Sequence, residues 1–448
     1  MTPTQQDRAV VLGGSIAGLL SARVLADHFA EVLVIDRDPL CPEAAPRRGT
    51  PQARHLHGLL ARGHQVLEEL FPGLTAELVA NGAPTGDMLA DTRVCFGGHR
   101  FRQGPSGLTA VCVSRPALEA AVRRRVVALP GVRLLGDRDV VGLVASRDAR
   151  RVVGARVIGR ADGSAEEQLP ADVVVDATGR GSRLPIWLES LGYAPPQQER
   201  IRLGVGYASR HYRLRPRALG DDLVAISAPT PQQPRGGGLS LVEDGRCLVT
   251  LMGVLGDHPP TDPEGFDRFA ADLALPDVHE ILQDAEPLDA PVAYRYPSSV
   301  RNRYDRLARF PDGLAVLGDA VCTLNPIYGQ GMTVAALEAA ALGRDLAIGR
   351  PDDHRRDVGR ISGLAWALAL GADLSFPDVE GPRTPTTRLL GRYVRRIQAG
   401  AEHDAELGRA FLRVTSMMDP PTALFRPSVL IRTMDHAVDF RTRRPTAA

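Results

Sequence analysis

The sequence predicts an α/β protein: a doubly wound, Rossmann-like domain with an inserted mixed β-sheet domain and a helical C-terminal region. Three observations carry this. A strand, a glycine turn, a helix and a second strand follow one another over residues 9–36. Residues 199–300 change texture to long polar–apolar alternations (IRLGVGYASRHYRL, GLSLVEDGRCLVTLMGV) broken by proline-rich loops, as in an antiparallel sheet. After Asp352, apolar residues recur at three- and four-residue spacing with arginines opposite, as in helices packed on a sheet.

The opening unit comes first. Ala9–Leu12 is an apolar strand, Ile16–His28 has helical spacing, and Glu31–Asp36 is a second strand. The turn between them reads LGGSIAG, so Gly13 and Gly18 hold the outer places of G-x-G-x-x-G and Ser15 takes the middle one. Serine is small enough for a backbone that must approach a pyrophosphate, and it adds a hydroxyl donor. Asp36 closes the second strand about 20 residues after Gly13, where a carboxylate meets a ribose hydroxyl. An ordinary glycine-rich turn is the other reading of this segment alone.

A proline- and arginine-rich segment follows, DRDPLCPEAAPRRGTPQARHLHGLL, leading into a helix over Leu59–Leu70. Arginines on a loop after such a strand, among them Arg37 and Arg54, suit phosphates. His55 and His57 lack an evident third metal ligand and read as packing or substrate contacts; no metal is expected. Ser114 N-caps the next helix with Pro116 in its first turn, which puts Arg115 at a helix N-terminus, a place for a cation only if it has an anion to hold. VRLL with DVVGLVAS, then RVVGARVIG, read as a β-meander, and PADVVVDATG as a return to a core strand.

Composition narrows the chemistry. With 448 residues, 44% of them apolar and 24% charged, the chain affords a sizeable core. A net charge of +1 gives no field to gather a polyanion, so nucleic acid is not an expected partner. All 54 basic residues are arginine, which removes Schiff-base and lysine-nucleophile mechanisms. Five scattered cysteines without a C-x-x-C pair argue against a disulfide framework and a zinc site. The N-terminus MTPTQQDRAV lacks a leader pattern, and no apolar run reaches the roughly 18 residues a bilayer span needs. A cytoplasmic protein without a transmembrane segment is expected.

Residues 311–340, PDGLAVLGDAVCTLNPIYGQGMTVAALEAA, form the decisive motif. A buried strand ends at Gly318–Asp319, and a loop carrying Gly329 and Gly331 opens a helix near Thr333. A strand-end carboxylate holds a polyol hydroxyl, while the helix N-terminus offers bare N–H groups to an electron-rich ring edge, such as that of a reduced isoalloxazine.

GGSIAG, PQARHLHGLL, SRPALE, DATGRGS and GDAVCTLNPIYGQGM, in that order over roughly residues 10–346, resemble the FAD-dependent monooxygenases of the para-hydroxybenzoate hydroxylase fold, and within them the actinobacterial polyether and polyketide epoxidases. The resemblance implies that Gly13, Gly14, Ser15, Ala17 and Gly18 wrap the FAD pyrophosphate and that Asp36 holds the adenosine ribose, with Arg37 and Arg54 nearby. It implies that Val140 meets adenine through its backbone, that Arg115 and Asp319 contact the ribityl–phosphate region, and that Gly329, Gly331 and Met332 present the flavin-edge loop. It further implies FAD-binding segments 1–84, 113–198 and 296–350, a substrate domain of 85–112 and 199–295, and a helical region 351–448.

The implied activity is epoxidation or hydroxylation of a lipophilic polyketide-like molecule through a flavin C4a-hydroperoxide, with dioxygen as co-substrate and no dedicated catalytic residue nameable from the sequence. A non-redox FAD-containing cyclase is the alternative. Many members carry A-D-G-x-x-S-x-x-R, where this chain has Thr178 for the aspartate and Pro185 for the arginine, so NADPH or NADH as electron source is open and a separate flavin reductase is a candidate partner. Related halogenases need a lysine and a W-x-W-x-I-P segment, both absent here. Met417, Met418, Phe376 and Phe425 are candidates to roof a lipophilic cavity, or are simply core filler in helices packed on the sheet.

Overall fold

The computed structural model describes residues 6–350 and 353–442. Residues 1–5, part of the stretch read for a leader, and residues 351–352 and 443–448 of the helical region lie outside the described residues.

The β-branched runs of the opening unit form the centre of a five-stranded parallel sheet in the order Leu314–Val316, Val173–Asp176, Gln6–Leu12, Phe29–Ile35, Val132–Leu135. Val10, Val11, Val34, Val174 and Val175 are fully buried, because helices cover both faces of such a sheet. Each side chain of this size contributes about 1.5–3 kcal/mol by leaving water. The helix Ile16–Leu25 makes the crossover, three residues shorter than its apolar pattern. Val132–Leu135, expected in the meander, instead pairs in parallel with Phe29–Ile35, and the meander consists of Arg138–Ala145, Val152–Gly159 and Glu166–Pro170.

Residues 198–302 supply most of a nine-stranded mixed sheet built around the long strand Gln198–Arg213. Its pairs are antiparallel except Val224–Ser227 beside Thr92–Phe96, which brings in a strand from the earlier segment. Two helices, Pro263–Ala271 and Asp277–Leu282, cover one face.

The helices His354–Asp373, Pro385–Gly400, Ala405–Thr415 and Pro427–Thr442 follow. Ile397, Leu407 and Phe411 share a core with Leu89, Val94 and Phe101, so the C-terminal region closes against the mixed sheet rather than standing apart. Among the described residues no helix is long and apolar enough to cross a membrane.

Candidate functional site

The carboxyl ends of the parallel strands open into a cavity of about 1760 Å³, lined by Gly13, Ile35, Asp36, Ala177 and Gly318 from four of them. This is where open α/β sheets bind ligands. A single small-molecule pocket holds about 300–1000 Å³, so the space suffices for a dinucleotide and a second molecule.

Gly13 turns the chain with φ +104°, and a Cβ there would lie 2.4 Å from the Ala177 carbonyl oxygen, so only glycine lets the strand ends approach. A Cβ on Gly18 would lie 1.7 Å from the Gly13 oxygen. Gly18 and Gly14 shape the turn from behind and are not among the lining residues, whereas Ser15, Ile16 and Ala17 are. Ser15 is the N-cap of its helix but makes no capping bond. Its Oγ donates to Glu119 Oε2 at 2.8 Å and accepts from Arg115 Nη2 at 3.0 Å, so the first helical turn keeps its backbone donors free of side-chain caps.

Beneath this turn is an ionic cluster. Glu119 Oε1 accepts from Arg47 Nη2 and Arg123 Nη2, each at 2.7 Å, and Oε2 from Arg115 Nη2 at 3.4 Å. Burial would raise the Glu119 carboxyl, but Arg115 and Arg47 overcome it and hold it below the ordinary range. Arg47 also donates to Asp36 at 3.2 Å, and Asp36 accepts from the Gly14 amide at 2.6 Å. Burial alone would lower the Arg47 guanidinium, yet Glu119 and Asp36 hold it above its usual value. Arg115 Nε is buried without a partner.

Arg37 is exposed at the cavity edge, while Arg54 ends the turn Pro51–Arg54, exposed and outside the lining residues. The arginine this loop brings to the turn is Arg47. Its signal, the RR pair in the quoted segment, was visible but unassigned, and Glu119 could have been found as the i,i+4 partner of Arg115.

Val140 lines the cavity where its strand slips register between Val140 and Gly142, which takes backbone out of the ladder there. Across the site, Asp319 sits in a short turn after the strand Leu314–Val316. Burial raises its carboxyl, opposed by Arg180 and Arg115. Gly329 adopts φ +64°, and the next helix starts at Gly331, two residues before the expected point. A Cβ on Gly331 would meet nothing nearer than Asp319 Oδ1 at 3.9 Å, so its face is open, and Gln330, Gly331 and Met332 all line the cavity. An open helix N-terminus, a buried unpartnered Gln330 Oε1 and the orphan Arg115 Nε fit a flavin ring and a pyrophosphate at these two ends.

The DATGRGS segment is organised around its first residue, Asp176, to which the sequence reading assigns no role. Thr178 Oγ1 and Ser182 Oγ each donate to this fully buried carboxylate at 2.6 Å. Thr178, which stands in the aspartate place of the resembled motif, thus serves a carboxylate two residues earlier. Arg183 lines the cavity, as does Arg180, which donates to Tyr294 Oη at 2.9 Å and lies 4.7 Å over the Tyr296 ring.

Beyond the helix start the lining turns apolar, with Val94, Phe96, Ile226 and Met252 from the mixed sheet and Leu368, Phe376, Val394, Phe411 and Leu424 from the C-terminal region. Of the four suggested roof residues Phe376 lines it; Met417 and Met418 do not, and Phe425 is 48% exposed. At its floor His55 Nδ1 meets Ser209 Oγ at 2.7 Å, which meets Thr250 Oγ1 at 2.6 Å. Burial, with Arg54 adding, pushes His55 down to about 4, and burial, with Arg115 adding, pushes His57 down to about 3, so both are neutral imidazoles near neutral pH. At the loop, Tyr328 Oη and Asn325 Nδ2 donate to buried Asp373, whose carboxyl burial pushes up to about 6 against those bonds.

No family model matches the chain. It is 38% identical over 436 residues to Protein Rv3254 of Mycobacterium tuberculosis, covering 92% of this chain and 90% of that protein. It is 27% identical over 359 residues to kynurenine 3-monooxygenase of Salinispora tropica, covering 75% and 72%. Among solved structures it superposes on the flavin-dependent brominase Bmp2 with a TM-score of 0.66 at 16% identity, covering 98% of this chain and 100% of that one. On PqsL, a probable FAD-dependent monooxygenase from Pseudomonas aeruginosa, the TM-score is 0.60 at 18% identity, covering 91% and 98%. The chain belongs to the family of the mycobacterial protein Rv3254, and its fold is that of the FAD-dependent monooxygenases.

Proposed function

We propose that the protein is an FAD-dependent monooxygenase that places oxygen on a carbon–carbon double bond or aromatic ring of a lipophilic, polyketide-like molecule. The observation that carries this is the continuity of one cavity, in which the nucleotide elements and the apolar chamber meet at the helix N-terminus of Gly331. Bound FAD supplies the activation of dioxygen. The chain's own residues bind, orient and keep water out.

In this reading the Ser15–Ala17 turn and Arg115 hold the pyrophosphate, Asp36 the adenosine ribose and the Val140 backbone the adenine, while Asp319 takes the ribityl hydroxyls. The Gly331 and Met332 amides face the flavin edge, where a helix N-terminus stabilises negative charge. The apolar walls at Ile226, Met252 and Phe376 exclude water from the reacting carbon. Neutral His55 and its hydroxyl chain form the polar floor on which a substrate oxygen is oriented.

The names of the curated relatives favour oxygen transfer over the non-redox cyclase, and the absence of lysine disfavours the halogenation named for Bmp2. Apoprotein titrated with FAD should bind one equivalent and quench its fluorescence. Reduction of the loaded protein by NADPH alone should be slow and by an added flavin reductase fast, given Thr178 and Pro185. Failure to bind FAD would remove the proposal, and rapid saturable bleaching by NADPH would remove the reductase.

A further inference from the structure

The helix Pro385–Gly400, PTTRLLGRYVRRIQAG, has no acidic residue. Its inner face packs through Ile397 and contributes Leu390, Gly391, Val394 and Gln398 to the cavity wall. Its outer face carries Arg388, Arg392 and Arg396, all exposed, and Arg395, exposed as well, stands at the cavity margin among the lining residues; among the described residues none of the four has an ion-pair or side-chain hydrogen-bond partner. In a chain of 54 basic and 53 acidic residues that is a local excess, not the edge of a global field.

Apolar side chains are exposed beside these arginines. Leu389 is 67% exposed, and Leu390, at the margin of the cavity wall, 44%. Leu389 lies one turn before Tyr393, which stacks on exposed Phe425 with centroids 5.0 Å apart. Among the described residues, five of the ten exposed large apolar side chains lie within residues 385–434, so the exposure is concentrated on the segment that also walls the apolar chamber. A helix with one face packed, arginines outward and aliphatic and aromatic side chains at their margin matches the interface of a bilayer, whose anionic headgroups take the guanidinium groups while the acyl boundary takes the leucine and phenylalanine. An acidic protein surface would satisfy the arginines but would leave Leu389 and Phe425 without that apolar layer.

We infer that this helix seats the mouth of the cavity on an anionic lipid surface, so that a lipophilic substrate passes between bilayer and chamber without crossing water. The substrate half of this statement rests on the proposed oxygenation; the docking half does not, and it is read without turnover. FAD-loaded full-length protein should sediment with phosphatidylcholine vesicles containing phosphatidylglycerol, less so in high salt, and not with phosphatidylcholine alone. Combined Arg388→Gln, Arg392→Gln and Arg396→Gln should lower partitioning about 100-fold, at about fivefold per charge near the surface. Leu389→Gln should lower it about tenfold. Flavin content and melting temperature, measured alongside, should stay at wild-type values. Wild-type protein that ignores anionic vesicles, that binds neutral ones equally well, or whose variants bind undiminished would overturn the inference, and salt-sensitive capture by an acidic protein in place of vesicles would assign the face to that class of partner.

Discussion

The two ends of the cavity are built by opposite means. The nucleotide end is made of charge and close backbone approach, with Glu119 gathering Arg47, Arg115 and Arg123 under a turn that only glycine closes. The chamber end is made mostly of apolar side chains from segments far apart in sequence, with a neutral imidazole and its hydroxyl partners at its floor. In the proposed reading the first end fixes one ligand through a buried ionic network that leaves Arg115 Nε without a protein partner, whereas the second sets shape and dryness and leaves chemical identity to whatever fills it. In the proposed reading cofactor and substrate are therefore separable, and substitutions at one end should leave the other intact.

The largest break in that separation is expected at Glu119. Glu119→Ala strands three guanidinium groups in a buried cluster, and loss of one partner of such a cluster costs about 3–5 kcal/mol, to be read as a lowered melting temperature together with lost FAD. Glu119→Gln should recover part of both, since it keeps an acceptor for Arg47.

Next in size is a pH effect at the junction of the two ends. The Asp373 carboxyl lies at about 6 in the fold against an ordinary 3.8, so between those values the folded protein binds a proton that the unfolded chain has released. Stability therefore falls as pH rises through that window, by up to about 3 kcal/mol, and Asp373→Asn should flatten that part of the stability–pH curve. An unchanged curve would show that Asp373 ionises without cost.

Asp36→Ala should weaken FAD binding by about 1.5–3 kcal/mol, the loss of a charged hydrogen-bond acceptor, with no change in the selectivity among substrates. Smallest is Ile226→Ala, which should raise KM for a lipophilic substrate by about 1–2 kcal/mol while FAD affinity stays put. A shift of FAD affinity with Ile226, or of substrate preference with Asp36, would show that the ends are coupled.

The contrast also explains what the sequence disclosed. Gly13, Ser15, Asp36 and the Gly329–Met332 loop were legible because a strand–turn–helix places them by local spacing, and the helix after Ser114 because its cap and proline are neighbours in sequence. Val132–Leu135 was misassigned because period alone does not reveal which sheet an edge strand joins. Arg47 and Glu119 were invisible as a pair, being brought together by folding across 72 residues. The same holds for the Ser209–Thr250 chain under His55, whose members lie in three separate segments. Met417 and Met418 stayed undecided in the sequence because an apolar pair reads alike whether it faces a cavity or a core, and the structure packs them against cores.

The claim that joins the two ends is that oxygen passes from the cofactor side of the cavity to a molecule in the apolar chamber. Protein loaded with FAD and supplied with a flavin reductase and NADH should convert a lipophilic polyene or aromatic polyketide under labelled dioxygen to a product carrying one labelled oxygen atom, with none from labelled water. Product formed equally well without oxygen or reductant, and with unchanged mass, would contradict the account.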